Sequence, residues 1–288
     1  MHLHKMQATN NGVNLIILLP ILLLVIPCTP IARAADPLFI ICIPTQNYTS
    51  NSSFESNLLL LLKSITSNTS LSGGFYNTSF GSNEDDSVYG LALCRGDVMP
   101  EVCQNCVINA SRGIVEQCPS GKQATISYEF CQVRYSDQNF FSMMVHAVKY
   151  PNWNNTKQDI LDPDQYTLIL NDLMTNISNR AAFDSSGNMF ATDEASLTST
   201  GRKLYGLGQC TRDISRDDCY KCLRGEVGDI VGCCSSYEGG IVVDNSCNLR
   251  YELYRFYRVE VVPASPQPPP STTSTRSKDF VYFFFNPI

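Results

Sequence analysis

Thirteen cysteines carry the most recognisable chemistry of this 288-residue chain. Six of them form two clusters with the spacing C-x8-C-x2-C, in YGLALCRGDVMPEVCQNCV at residues 89–107 and in YGLGQCTRDISRDDCYKCL at residues 205–223. Closely spaced thiols bind zinc when they are reduced and form disulfides when they are oxidised. The compartment of the protein therefore decides what these cysteines do.

The N-terminus predicts an oxidising compartment. The apolar run VNLIILLPILLLVI at residues 13–26 follows a basic start and precedes the small residues Ala32-Arg33-Ala34-Ala35. This order is typical of a cleavable secretory signal, which we assign to residues 1–34. An uncleaved anchor is the alternative, but the run is shorter than the ~20 residues that span a bilayer and it contains Pro20.

Signal removal takes Cys28 away and leaves twelve cysteines, an even number that predicts six disulfides in a secreted, extracellular protein. Seven N-x-S/T sequons agree with this compartment, although we expect some of them to be unused. They lie at Asn47, Asn51, Asn68, Asn77, Asn109, Asn154 and Asn176.

The clusters belong to an internal repeat. Cys94, Cys103, Cys106, Cys118 and Cys131 each recur 116 positions later, as Cys210, Cys219, Cys222, Cys234 and Cys247, and Arg134-Tyr135 recurs as Arg250-Tyr251. A constant displacement of this kind indicates duplication. We predict a first domain at residues 35–138, a second at residues 139–262, and a Pro/Ser/Thr-rich linker with a short apolar tail at residues 263–288.

The hydrophobic pattern predicts the elements of each repeat. Ser52-x-x-Glu55 is a capping box before a helical pattern, and Pro100-Glu101 and Ser215-x-x-Asp218 mark the starts of the helices that carry the paired cysteines. Alternating runs, such as residues 124–135, predict strands, and Phe140–Val145 is the predicted first strand of the second repeat. The fold class is therefore α+β, with two helices packed on an antiparallel sheet in each of two tandem copies.

The cluster spacing, the Tyr-Gly-Leu before it and the sequence CNLRYELY at residues 247–254 resemble the ginkbilobin-homologous, or stress-antifungal, domain. Tandem copies of this domain form the ectodomains of plant cysteine-rich receptor-like kinases and the cysteine-rich repeat secretory proteins. The resemblance covers about Asp36 to Val262 and implies the same α+β fold. In the kinases such a chain continues into a transmembrane helix and a kinase, so we interpret the tail as a truncated or alternative end, in preference to a lipid-anchor signal.

The resemblance also implies a disulfide pattern, which spacing alone leaves open. It pairs Cys42 with Cys118, Cys94 with Cys103 and Cys106 with Cys131, and by analogy Cys210 with Cys219 and Cys222 with Cys247. Cys42 has no counterpart in the second repeat, because the residue 116 positions later is Gln158. The second repeat also has an additional cysteine, Cys233, next to Cys234. We predict a vicinal Cys233–Cys234 bridge; two free thiols or a disulfide-linked dimer are the alternatives.

A mannose-binding member of the family uses an Asn, an Arg and a Glu at three fixed positions. The corresponding residues of the first repeat are Ile43, Thr125 and Ser136. In the second repeat the Arg position is Ile241, and only Glu252 matches, which makes it the single candidate ligand contact. Sugar hydroxyls left unpaired cost ~1 to 3 kcal/mol each, so mannose binding at this site is not expected.

Other chemistry finds little support in the sequence. The mature chain has one histidine, His146, which we interpret as a core residue, and it lacks G-x-S-x-G and kinase motifs. We therefore expect no enzyme activity, no cofactor and no metal. A formal net charge of −6 argues against nucleic acid as a partner.

The resemblance implies a secreted plant recognition module of the receptor-kinase ectodomain type, without a kinase, located in the apoplast. It would act in defence or stress signalling by binding an extracellular ligand or receptor protein, with the surface between the repeats as the expected contact. The alternative is an antifungal effector that binds cell-wall glycans, and an extracellular enzyme is a third hypothesis. No membrane span is expected after signal removal.

Overall fold

The computed structural model describes residues 36–43, 47–144, 150–153, 162–198 and 201–258. The predicted signal segment with Cys28, the tail at residues 263–288, His146, Asn154 and Gln158 lie outside the described residues. The two repeats form two units of the same architecture, each with a five-stranded antiparallel sheet and two helices. The predicted α+β fold and the duplication are confirmed.

The first domain contains five strands and two helices. Its strands are β1 (Phe39–Cys42), β2 (Phe75–Phe80), β3 (Val88–Cys94), β4 (Ala124–Ser127) and β5 (Cys131–Ser136), in the sheet order β1-β4-β5-β3-β2. Helix α1 (Ser53–Asn68) begins at the predicted cap, where the Ser52 hydroxyl accepts from the Glu55 backbone N–H. Helix α2 (Pro100–Gln117) begins at the predicted proline.

The second domain repeats this order. Its strands are β6 (Tyr150–Trp153), β7 (Phe190–Ser196), β8 (Lys203–Cys210), β9 (Gly239–Val243) and β10 (Cys247–Glu252), in the sheet order β6-β9-β10-β8-β7. Helices α3 (Pro163–Phe183) and α4 (Arg216–Cys234) pack on one face of the sheet. The Ser215 hydroxyl caps α4 by accepting from the Asp218 backbone N–H, as predicted.

Each core lies between the helices and one face of the sheet. In the second domain Leu170, Met174 and Ile177 of α3 are fully buried against strand β8. Gly206 of β8 permits this approach, because a Cβ atom there would lie 2.3 Å from Met174 Cε. Apolar burial on the scale of such a core is the main favourable term in folding.

The predicted first strand of the second repeat is wrong. Phe140 precedes a turn in the connection between the domains, where its buried ring packs on the Arg134 guanidinium, and the strand that takes the place of β1 is Tyr150–Trp153. The pairing register also corrects the alignment of the repeats. Cys42 pairs with Ala124, and Trp153 pairs with the equivalent Gly240, so Trp153 and not Gln158 occupies the strand position of Cys42.

The two domains meet through the sheet faces that carry no helices. Gln209 of β8 donates from Nε2 to the Cys94 carbonyl at 2.9 Å and accepts at Oε1 from the Gly96 N–H at 3.3 Å. Gly96 allows close contact, because a Cβ atom there would lie 2.4 Å from Phe190 Cγ of the second domain. Thr125 of β4 donates to Asn245 Oδ1 at 3.0 Å. The domains therefore share a continuous, hydrogen-bonded interface.

Candidate functional site

The structure joins the twelve cysteines among the described residues into six disulfides. Three lie in the first domain and two at the equivalent places of the second. In both domains two bridges tie the start of the cysteine-bearing helix to the sheet, but only in the first domain does a bridge tie the end of that helix to a strand. The pairs are Cys42–Cys118, Cys94–Cys103, Cys106–Cys131, Cys210–Cys219 and Cys222–Cys247, and the sixth is Cys233–Cys234.

The Cys233–Cys234 pair lies at the end of helix α4. Cys234 is fully buried against Gly240, at the position equivalent to Cys118, and its carbonyl accepts a hydrogen bond from the Tyr251 hydroxyl. Tyr135 occupies the equivalent position in the first domain and donates to the Gly121 carbonyl at 2.9 Å. The tyrosine therefore anchors the end of the second helix in the domain that lacks the Cys42–Cys118 bridge.

One group of potential metal ligands occurs among the described residues, formed by Cys222, Glu226 and Cys247. The two sulfurs of this group are joined to each other in a disulfide. A disulfide offers no thiolate, and zinc sites with cysteine ligands require thiolates. This group is therefore part of the core and not a metal centre.

The family's sugar-contact positions come together in the first domain but lack the required chemistry. Ile43, Thr125 and Ser136 line a small pocket between strands β1, β4 and β5. Thr125 is 3% exposed, because Asn245 of the second domain covers it and accepts its hydrogen bond. The second domain thus covers the family's sugar-contact position in the first domain, where the Asn, Arg and Glu side chains are already absent.

Glu252, the predicted ligand contact, is 6% exposed and ion-paired within the protein. Its Oε1 accepts from Arg250 Nε at 3.0 Å and from Nη2 at 2.9 Å, and a Cβ atom on Gly239 would collide with its Oε2. Burial raises the pKa of Glu252, against the opposing effect of Arg250. A role in ligand contact stays a prediction, and in this arrangement it would require Arg250 to move.

The raised pKa of Glu252 predicts a pH-dependent stability. The folded protein binds this proton more tightly than the unfolded chain does, so the contribution is fully present below the unfolded pKa of ~4.3 and is lost as the pH rises through the folded pKa. Glu252→Gln should therefore flatten the dependence of the unfolding free energy on pH between ~4 and ~7. Urea unfolding across that range measures it, with the more exposed Glu238→Gln as the matched control. An unchanged slope in Glu252→Gln would contradict the prediction.

A narrow charged cleft with a cavity volume of about 40 Å³ lies between the two domains. Arg95, which follows β3, and Arg250 of β10 point their Nη1 atoms at the same oxygen, Glu129 Oε1, at 2.7 and 2.5 Å. The arginine side chains are 11% and 15% exposed, whereas that of Glu129 is 32% exposed. Apolar residues complete the walls: Leu38, Leu93, Phe130, Leu207, Ile241 and Val243.

Fixed partners hold both arginines of the cleft in place. Asp97 accepts from Arg95 Nε at 2.6 Å and from Nη2 at 3.0 Å, as Glu252 does for Arg250. The Arg250 guanidinium also stacks on the Phe256 ring at 4.3 Å. Charge-assisted, bidentate contacts of this type fix geometry, so the cleft is preorganised by residues of both domains.

A second charged position occupies the equivalent place in the first domain. Arg134, the counterpart of Arg250, stacks on Phe140 at 4.0 Å. Burial lowers the pKa of Arg134 to about 10, against the charges of Asp213 and Asp244. The repetition of Arg134 as Arg250 was visible in the sequence; the convergence of Arg250 with Arg95 and Glu129 was not, because those residues are distant in the chain and follow no motif.

The sequons differ in exposure. Asn47, Asn51, Asn109 and Asn176 are exposed, whereas Asn68 and Asn77 are partly buried and Asn68 Nδ2 donates to the Ser64 carbonyl at 2.8 Å.

We expect glycans at Asn47, Asn51 and Asn109 and lower occupancy at the other three described sites. Asn77 is partly buried, and the Asn68 and Asn176 amides already donate, Asn176 to Asp193 Oδ2 at 2.7 Å. Glycopeptide mass spectrometry of the secreted protein, with and without glycosidase, measures site occupancy. Full occupancy at Asn68 with none at Asn109 would contradict the expected order.

The fold, the six disulfides and the shared cleft define a class, that of disulfide-stapled tandem modules whose two domains share an interface. None of the helices that the structure describes is long and apolar enough to cross a membrane. The family model for salt stress response/antifungal proteins matches residues 41–138 and 152–254, and the chain belongs to this family.

Relatives and solved structures agree with this membership. The chain is 40% identical over 224 residues to the antimicrobial ginkbilobin-2-like protein of Castanea crenata, covering 78% of this chain and 90% of that protein. It is 36% identical over 247 residues to cysteine-rich receptor-like protein kinase 25 of Arabidopsis thaliana, covering 84% of this chain but 36% of the kinase.

A crystal structure shares the fold. The tandem DUF26 ectodomain of the Arabidopsis thaliana cysteine-rich receptor-like protein PDLP8 superposes with a TM-score of 0.66 at 24% identity, covering 75% of this chain and 97% of that one. The likeness shows that two domains of this architecture occur in tandem in an ectodomain.

Proposed function

We propose that this protein is a secreted plant recognition module that binds an extracellular ligand or protein partner at the cleft between its two domains and acts in defence or stress signalling. The observation that carries the proposal is the cleft itself, whose charged wall is assembled from Arg95 and Glu129 of the first domain and Arg250 of the second. Neither domain alone forms this surface. Recognition, and not catalysis, is the role that such a fixed ion-paired wall supports.

The chemistry of the cleft indicates what it would bind. Both guanidiniums are already bound by carboxylates of the protein, three of them for two arginines, so they do not favour an acidic ligand. The Glu129 carboxylate, 32% exposed, can accept a hydrogen bond, and Phe130, 37% exposed, offers an apolar contact. Interfaces commonly concentrate their binding energy in arginine and aromatic side chains. A segment with a hydrogen-bond donor or a cation beside an apolar group is therefore the expected partner.

The alternative function is a carbohydrate-binding antifungal effector, which is favoured by the similarity to a protein named as antimicrobial. The altered sugar positions Ile43, Thr125 and Ser136 count against mannose as its ligand. A glycan array and a fungal growth assay separate the two functions. Array signals together with growth inhibition would favour the effector.

The recognition proposal is tested at Phe130. Calorimetric titration of the secreted protein with wall oligosaccharides and with candidate receptor ectodomains gives a binding constant for any partner found. Phe130→Ala should weaken that binding by ~10-fold or more, while Phe183→Ala, a matched exposed aromatic outside the cleft, should leave it unchanged. Equal effects of the two variants would place the partner elsewhere.

A further inference from the structure

The last five described residues, Tyr254–Arg258, cross from the second domain to the first, and we name them the C-terminal strap. The Phe256 carbonyl accepts from Arg95 Nη2 at 3.1 Å, and the Arg258 backbone N–H donates to Asp97 Oδ2 at 2.9 Å. Asp97 is almost fully buried, with a side-chain exposure of 2%. The strap therefore ends on a fixed acceptor of the opposite domain.

The connection between the domains makes the same crossing in the other direction. The Ser142 backbone N–H donates to Asp213 Oδ2 of the second domain at 3.0 Å, and the Phe140 ring packs on Arg134. Ser142, Phe140 and Asp213 stand 116 positions from Arg258, Phe256 and Asp97, respectively. Two independent instances of one contact indicate a built feature of the tandem pair.

The two crossings differ in how they are held. Described elements flank the interdomain connection on both sides, whereas the C-terminal strap leads towards residues 263–288, whose Pro/Ser/Thr-rich composition is that of a linker. The strap contains no strand or helix residue and, among the described residues, continues into a domain on one side only, so its release breaks no sheet pairing.

The strap also forms part of the support of the cleft. The Phe256 ring lies 5.9 Å from the Arg95 guanidinium and 4.3 Å from that of Arg250, the two arginines that converge on Glu129. Tyr257 fixes the other side of the strap, since its hydroxyl donates to the Asp193 carbonyl of β7 at 2.9 Å. Displacing Phe256 would remove a ring contact from both arginines and the carbonyl that Arg95 binds.

We propose that the C-terminal strap is a releasable latch that sets the position of the two cleft arginines. A force or a partner acting on the chain after Arg258 then changes the cleft, and occupancy of the cleft changes the strap, because coupling between two positions is reciprocal. The latch does not depend on which ligand the cleft binds, so it can be tested on the unliganded protein.

Hydrogen exchange of the full-length secreted protein tests the latch. In Phe256→Ala, the amides of residues 254–258 and of the β4–β5 turn at residues 127–132 should exchange roughly 10-fold faster, as expected from the loss of two cation–π contacts, while helices α1 and α3 keep their protection. The matched control is Phe183→Ala, which removes a partly exposed ring that packs on Tyr220 away from the strap.

A second variant keeps the test decisive if Phe256→Ala is poorly secreted. Phe256→Leu retains an apolar side chain but loses the ring, and it should accelerate exchange at residues 254–258 and 127–132 by a smaller factor. Unchanged exchange at residues 127–132 in the variant that is obtained would overturn the proposal, and so would a wild-type strap whose amides already exchange at the unprotected rate.

Discussion

Replacing Cys42 and Cys118 together with alanine should lower the free energy of unfolding of the first domain by about 4 kcal/mol. The bridge closes a loop with a sequence separation of 76 and joins strand β1 to the end of helix α2. On the chain-entropy account, cross-links that close long loops restrict the unfolded chain most. Urea unfolding of the secreted variant, followed by circular dichroism, measures the change.

The Cys233–Cys234 pair supplies the matched control. It has a sequence separation of 1 and closes no loop of comparable length, so replacing both cysteines with alanine should cost less than ~1 kcal/mol in chain entropy. Similar losses in the two double variants would show that the loop-closure account does not apply here. A dimer that disappears in the Cys233 and Cys234 variant would instead indicate a bridge between chains.

The second large effect is expected at Arg250. Arg250→Met should destabilise the protein by about 2 to 3 kcal/mol near neutral pH, because it leaves the buried Glu252 carboxylate without its cation. The partial exposure of Glu129, which keeps Arg95 as a partner, holds the loss below that of a fully buried triad. Thermal unfolding compares the variant with the wild type.

The double variant Arg250→Met with Glu252→Gln shows whether the cause is correct. Removing the carboxylate as well should restore most of the lost stability, since no buried charge then lacks a partner. Arg202→Met is the control, because Arg202 pairs with Glu238 on the surface and its side chain is 44% exposed. A change of under ~0.5 kcal/mol is expected there. A double variant no more stable than Arg250→Met would contradict this explanation.

Local rules in the sequence were sufficient for much of the fold. The caps at Ser52 and Ser215 and the proline at position 100 each begin a helix as predicted, because a cap or a helix-starting proline acts within one turn of chain. The prediction failed at Phe140–Val145, where an apolar run was interpreted as a strand. An apolar residue stands at position 140 because its ring packs on Arg134 at the domain interface, and not because it belongs to a buried strand.

The alignment of the repeats failed for a related reason. The register of 116 holds from the cysteine clusters onward, but strand pairing places Trp153 opposite Gly240 and thus at the position of Cys42. A change of loop length between the first strand and the cluster moves the register without disturbing either element. An alignment that shifts every residue by 116 positions cannot detect such a change. The strand pairing of the sheet does detect it.

The sequence by itself determined the duplication, the α+β class, the helix starts and a set of cysteines suited to disulfides, since these depend on spacing and on interactions over a few residues. Only the tertiary structure brought Arg95, Glu129 and Arg250 to one cleft and placed Phe256 between the two arginines. The reason is physical: Arg250 lies 121 positions from Glu129, and Phe256 lies 161 positions from Arg95. The geometry of these contacts follows from how the helix-free faces of the two sheets pack, which no local pattern encodes.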